Sequence, residues 1–253
     1  MIDRDIDSVR ATLDAGTHVG TIEFTSPPNN YLNGDSLARS VAAAQELREA
    51  GARAIVLCSE GKNFCAGADF SNLSGRGDVY ELGIALVAQP LPIIAAVQGA
   101  AVGGGVGLAM SADLRVAGPS SYFWVNFARL GLHHGFGLTE TLTRTIGESA
   151  TVDILYRGNR LSGADAHRIG LCTELVDDDR IRSRAVEIAG EIAANAPLAV
   201  QSIRATLRGD LPEKMRAAMA HERAKQEELM GTADFIEGTT ALRERRTPGF
   251  IGR

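Results

Sequence analysis

Residues 98–117 read QGAAVGGGVGLAMSADLRVA, which puts four glycines into the five positions 103–107, between an apolar run and a short helical one. Spacing separates the purposes that so much bare backbone serves. A dinucleotide fingerprint, Gly-x-Gly-x-x-Gly, would need its third glycine at Leu108 if it began at Gly103, or at Met110 if it began at Gly105, so it fails. A phosphate-binding loop fails too, because no Gly-Lys-Ser/Thr follows. What remains is a tight turn between a strand ending near Gln98 and a helix beginning near Gly105. Such a turn aims unpaired N–H groups and the positive end of a helix at one spot, where a carbonyl oxygen gaining negative charge is stabilised. The same glycines also suit close packing of helix on strand, which needs only the missing Cβ. The stretch alone leaves both readings open.

Outward from this stretch, PIIAAVQ before it and LRVAG after it read as buried strands, as does ARAIVLCSE at 52–60. THVGTIEF at 17–24 alternates and stops at SPPNN, the mark of a strand ending in a turn. Leu37, Val41, Ala44 and Leu47 recur at helical spacing before Gly51, and ELGIALVAQ is a second helix. Strand-then-helix alternation predicts an α/β core with helices covering its sheets. Beyond it, ESATVDILYRG is helical, Ser162 and Asp165 in LSGAD have capping-box spacing, and LCTELV is a short strand. IRSRAVEIAGEIAANAP, LPEKMRAAMAHERAKQEELM and DFIEGTTALRERR carry only helical signals. The expected division is a core over 1–195 and a helical C-terminal region over 196–253.

Composition narrows the function. The 253 residues carry a net charge of −5, so a nucleic-acid partner is not expected, and an anionic ligand must be held by local charges. Cys58, Cys65 and Cys172 are odd in number and lack zinc-ligand spacing, which predicts neither a disulfide framework nor a metal and suits a reducing, cytoplasmic setting. The N-terminal MIDRDIDSVR is too charged for an export signal. The longest apolar run is broken by Gln98 and the glycines, so no membrane association is expected.

A second segment, GKNFCAGADF at 61–70, also leaves an apolar strand with small residues whose amides can approach a ligand. Together, SEGKNFCAGADF and PIIAAVQGAAVGGGVGLAMSADLRVA closely resemble the enoyl-CoA hydratase/isomerase family, the crotonase superfamily. PPNN, LTRTIG, GNRLSGADAHRIGLCTELV and EGTTALRERRTPGF extend the likeness from Thr17 to Arg253. The resemblance implies a spiral of ββα units in two roughly perpendicular sheets, a C-terminal helical region that trimerises, and homotrimers that often pair into hexamers. It implies acyl-CoA thioester substrates, a place in fatty acid metabolism, and no permanently bound cofactor, coenzyme A arriving as part of the substrate. Matched by motif, the oxyanion-hole amides are those of Ala68 and Gly104. The CoA-binding positions are Asn30, Tyr31, Lys62, Ala66, Asp69, Phe70, Leu242 and Arg245, with Lys62, Arg245 and Arg246 as the charges for its phosphates.

Two departures from the family pattern stand out. The hydratase glutamates fall on Gly107 and Phe127, neither of which performs acid–base chemistry, and the isomerase base falls on Phe127 as well. His133 and His134, in LGLHHGFGL, occupy a loop that the resemblance places near the acyl pocket, where an imidazole titrating near neutrality is a candidate base. The pair equally suits packing or a subunit interface. Glu140 is a further candidate, while Asp78, Tyr80 and Glu81 read best as a charged helix start. Phe127, beside Phe123 and Trp124, and Leu130 form an apolar wall to the acyl tunnel. Cys65 has no basic neighbour except Lys62 and reads as a small buried residue. Two functions stand: an acyl-CoA enzyme that stabilises a thioester enolate, or a non-catalytic acyl-CoA-binding protein on the same fold.

Overall fold

A computed structural model of the chain describes residues 4–6, 9–68 and 78–253. The chain opens with an antiparallel meander of β1 (Arg4–Ile6), β2 (Val9–Asp14) and β3 (Val19–Phe24), in which Val9 faces Phe24. Between β2 and β3 the Asp14 carboxylate accepts the Gly16 amide at 2.8 Å, a bond that also holds its pKa below the usual carboxylate range. Asn33 then caps α1 (Gly34–Glu49) by accepting the Ser36 amide, and Leu37, Ala44 and Leu47 turn inward, as their spacing predicts.

The chain continues through β4 (Ala54–Ser59), α2 (Val79–Val87), β5 (Ile93–Val97), β6 (Ala100–Val102), α3 (Gly104–Ser111), β7 (Leu114–Ala117) and β8 (Tyr122–Trp124). There follow α4 (Leu138–Arg157), β9 (Arg160–Ser162), α5 (Gly163–Arg168) and β10 (Glu174–Leu175), then α6 (Ile181–Ala193), α7 (Pro197–Arg208), α8 (Leu211–Met230) and α9 (Ala233–Glu244). One sheet has the order β1-β2-β3-β4-β5-β7-β10 and is parallel from β3 onward; the other is β6-β8-β9. Every residue of β4 and β5 is buried because both sheet faces are covered. Ala54, Val56 and Cys58 pack under Ile181, Ala185 and Ile188 of α6, while Ile55 and Leu57 enter the larger core beneath α1, α2 and α3.

Three elements differ from the sequence expectation. The small sheet is built from strands of three residues, too short for an alternation signal. Helix α4 starts at Leu138 rather than near Glu148, and Gly147 at φ +78 interrupts it, which breaks its periodicity. An additional helix, α7, begins with Pro197 in its first turn. Helix α8 packs on α2 and α4, and α9 packs on the turn at residues 127–130. Among the described residues no helix is long and apolar enough to cross a membrane, and no cluster of metal-ligating side chains forms.

Candidate active site

The exits of β4 and β6 run side by side. The amide of Cys65 donates to the Ala100 carbonyl and that of Val102 to the Cys65 carbonyl, both at 2.9 Å, so Cys65 and Ala101 pair in parallel. Ala68 and Gly104 each stand three residues past that pair. Glycine is required for this approach. A Cβ at Gly105 would lie 2.2 Å from the Cys65 carbonyl oxygen, and one at Gly67, whose φ is +89, would lie 2.7 Å from that of Val102. Close packing, one of the two purposes open to the glycine cluster, is therefore present at these positions.

Gly104 is the first residue of α3, so its N–H has no intrahelical acceptor. Neither its amide nor that of Ala68 donates to another described residue. Their neighbours are engaged: Gly103 donates to the Trp124 carbonyl at 2.9 Å, and Ala66 to those of Asn29 and Asn30 at 3.2 and 3.3 Å. Around Gly103 and Gly104 the wall is largely apolar. A Cβ at Gly103 would stand 3.6 Å from both the Phe127 ring and Asn126 Oδ1, and one at Gly104 2.9 Å from Leu32.

Gly107 faces Phe136. A Cβ there would lie 2.6 Å from the Phe136 Cβ, and one at Gly83 of α2 would lie 2.8 Å from the same ring. Phe136 is buried, has φ +61, and meets Tyr80 edge-on at 6.2 Å. Two glycines on neighbouring helices thus make room for one phenylalanine.

Residues 14–253 match the family model described as enoyl-CoA hydratase/isomerase. The chain belongs to the enoyl-CoA hydratase/isomerase family. It is 30% identical to a short-chain-enoyl-CoA hydratase of Clostridium acetobutylicum over 88% of this chain and 90% of that protein. It is 34% identical to the human mitochondrial enoyl-CoA hydratase domain-containing protein 2 over 75% of this chain and 70% of that one. An enoyl-CoA hydratase/isomerase structure from Pseudoalteromonas atlantica superposes with a TM-score of 0.86 at 28% identity, covering 97% of this chain and 100% of that one. The architecture is the crotonase fold, a mixed α/β core with a helical C-terminal region, and the chain is an enzyme of this family.

On this crotonase fold the histidine pair sits against α8. His133 and His134 stack at 4.1 Å, and His133 meets His221 edge-on at 6.1 Å. His134 Nε2 lies 2.8 Å from Thr139 Oγ1 and 3.7 Å from Glu222 Oε1. Glu222, fully buried and absent from the sequence candidates, accepts the Gly137 amide at 2.8 Å and the Thr139 amide and hydroxyl at 3.1 and 2.6 Å. It caps the start of α4 from another helix, and an acid on a long charged helix carries no sequence signal of that role. Burial, reinforced by the neighbouring imidazoles of His133 and His221, pushes His134 down to about 4. Contacts lead from Gly107 to this cluster through Phe136, Tyr80, whose hydroxyl donates to Gln226 at 2.7 Å, and Gln226, which donates to the His133 carbonyl. Burial, with the charge of Glu222, pushes the Tyr80 phenol up to about 12.

The remaining candidates are dispersed. Asn30, at φ +55, accepts the Ser26 amide and donates to the carbonyls of Glu60 and Asn63, so its side chain pins the turn preceding Tyr31. Tyr31 is half-buried and lines a small recess with Leu32 and Cys65. Lys62 is exposed and Ala66 half-buried; Asp69 and Phe70 lie outside the described residues. Leu130 is buried with its backbone against Gly238 of α9, while Leu242 and Arg245 are exposed at the end of that helix. Arg246 is bound to Glu237 and Glu244. Asp78 caps α2 and pairs with Arg223, Glu81 pairs with Arg216, and Glu140 is half-buried in the first turn of α4. Burial pushes the Cys65 thiol up to about 12, far from a reactive thiolate.

Proposed function

We propose that the protein binds acyl-CoA thioesters and stabilises a thioester enolate with the amides of Ala68 and Gly104, and that it hydrates 2-enoyl thioesters poorly. The observation that carries this reading is the pair of amides, unpartnered among the described residues, at matching positions past the Cys65–Ala101 bridge. When a bond at the carbon next to a thioester carbonyl breaks heterolytically, the electron pair it leaves moves onto the carbonyl oxygen. Two N–H donors fixed in advance stabilise that charge without reorganising, and loss of one such donor typically slows an enzyme about 100-fold to 1,000-fold.

Water addition needs a positioned base as well, worth roughly 100-fold to 10,000-fold. By resemblance that base belongs at positions 107 and 127, where this chain has Gly107 and Phe127, and Phe136 occupies the space a side chain at 107 would enter. The reading therefore favours isomerisation, C–C cleavage or decarboxylation through an enolate over hydration. The turn at Asn30 and Tyr31, the segment from Lys62 to Ala66, and Leu242 and Arg245 at the end of α9 are the proposed contacts for the CoA moiety, Lys62 and Arg245 supplying charge for its phosphates.

Acetoacetyl-CoA tests the amides without requiring turnover, because its enolate absorbs in the near ultraviolet. Bound to the wild-type chain near neutral pH it is expected to show a larger enolate fraction than in solution. Gly104→Pro, which removes the donor, is expected to abolish the rise. Binding with no change in enolate fraction overturns the proposal, as does an undiminished rise in Gly104→Pro.

A further inference from the structure

Within the apolar wall beside Gly104, Asn126 is 5% exposed. Its backbone carbonyl accepts the Arg129 amide at 3.0 Å, yet its side chain caps nothing at the turn it begins and makes no hydrogen bond with a described residue. A buried carboxamide left without partners costs on the order of 1–3 kcal/mol, so an asparagine at such a place calls for a partner from outside the chain. The amide is not sealed in. No fully enclosed side-chain nitrogen or oxygen lacks a partner among the described residues, so the unpaired Asn126 amide keeps some accessible surface. Its Oδ1 lies 3.6 Å from where a Cβ of Gly103 would be, beside the residue whose amide is half of the proposed oxyanion hole.

We infer that Asn126 is a specificity-determining residue that hydrogen-bonds a hydroxyl or oxo oxygen on the acyl chain close to the thioester carbonyl. The inference rests on the acyl-CoA reading above. A carboxamide offers two donors and an acceptor, so it takes either oxygen, and it cannot serve as a general base. Next to it Phe127 supplies only apolar contact, which makes Asn126 the group that separates an oxygenated acyl chain from a plain one. Discrimination of this kind is strong when the protein's own polar group is stranded by the wrong ligand.

The test is calorimetric titration of the full chain with butyryl-CoA and with 3-hydroxybutyryl-CoA, the ligand recovered and checked by chromatography. The wild type is expected to favour the hydroxy compound by about fivefold, the worth of one net hydrogen bond. Asn126→Leu is expected to erase that preference by weakening 3-hydroxybutyryl-CoA alone. Because Asn126 makes no side-chain hydrogen bond with a described residue, the urea midpoint of the variant is expected to be no lower than that of the wild type, and Asn126→Ala repeats the comparison if the leucine variant does not fold. A wild type that binds both ligands equally, or variants that keep the preference, overturn this inference and leave the enolate reading standing. A wild type that binds neither overturns both.

Discussion

At position 107 the room for a side chain is set by another residue. Phe136 stands where even a Cβ on Gly107 would lie 2.6 Å from it, so Gly107→Glu with Phe127→Glu overpacks the junction of α2 and α3. Forcing extra atoms into a filled core costs about 1–3 kcal/mol. That double variant is expected to melt lower than the wild type and to gain no hydration of crotonyl-CoA, followed by loss of enoyl absorbance. Adding Phe136→Gly removes the ring and suits the φ of +61, and the triple variant is expected to hydrate at least about tenfold faster than the double. Equal rates would show that more than these positions separates the site from a hydratase. Gly107 and Phe127 are departures by the resemblance alone, each judged in its own motif. Phe136 was illegible as the reason, since nothing in HHGFGL says which glycines its ring will meet.

The junction of the 131–137 loop, α4 and α8 is an element-scale device. Glu222 on α8 holds the first amides of α4, and His134 reaches the same carboxylate and Thr139. The folded pKa of His134, about 4, lies below the unfolded value near 6.5, so the folded chain resists a proton that the unfolded chain accepts. Stability is therefore unaffected above about pH 6.5 and is lost as pH falls from there toward 4, by up to about 3 kcal/mol. Urea unfolding across this window is expected to show that loss, and His134→Gln is expected to flatten it. A slope unchanged by the substitution would assign the acid sensitivity to other groups. The helical character of α8 and of the later part of α4 was readable, and so was the Ser162 cap of α5, because those signals are local. The bond from α8 to the start of α4 joins segments distant in sequence, and β6, β8 and β9 pair only because the core brings three-residue strands together.

Across the whole molecule, α7 is attached by charge and left apolar outside. Arg204 is its buried residue; it pairs with Asp113 at 3.0 Å and donates to the Val87 and Gln89 carbonyls, while Arg208 joins the same carboxylate at 2.8 Å. Leu198, Ile203 and Leu207 are exposed on the helix. Ile203 and Leu207 also line a cleft of about 520 Å³ whose other walls include Ile94, Met110 and Leu114. An apolar helix face beside an apolar cleft on a single chain is the kind of surface that association removes from water. Trimers of the kind the family resemblance leads one to expect would cover such a face if copies meet at α7. Sedimentation of the wild type is expected to give a trimer or a multiple of one. Ile203→Asp with Leu207→Asp is expected to yield a smaller species with unchanged helical circular dichroism, because neither side chain supports the fold from within. An assembly of unchanged mass in that variant would move the contact elsewhere. If instead the chain loses acyl-CoA binding together with its assembly, the site is completed by a neighbouring copy, and the exposed end of α9 at Leu242 and Arg245 is then where that neighbour has to be sought.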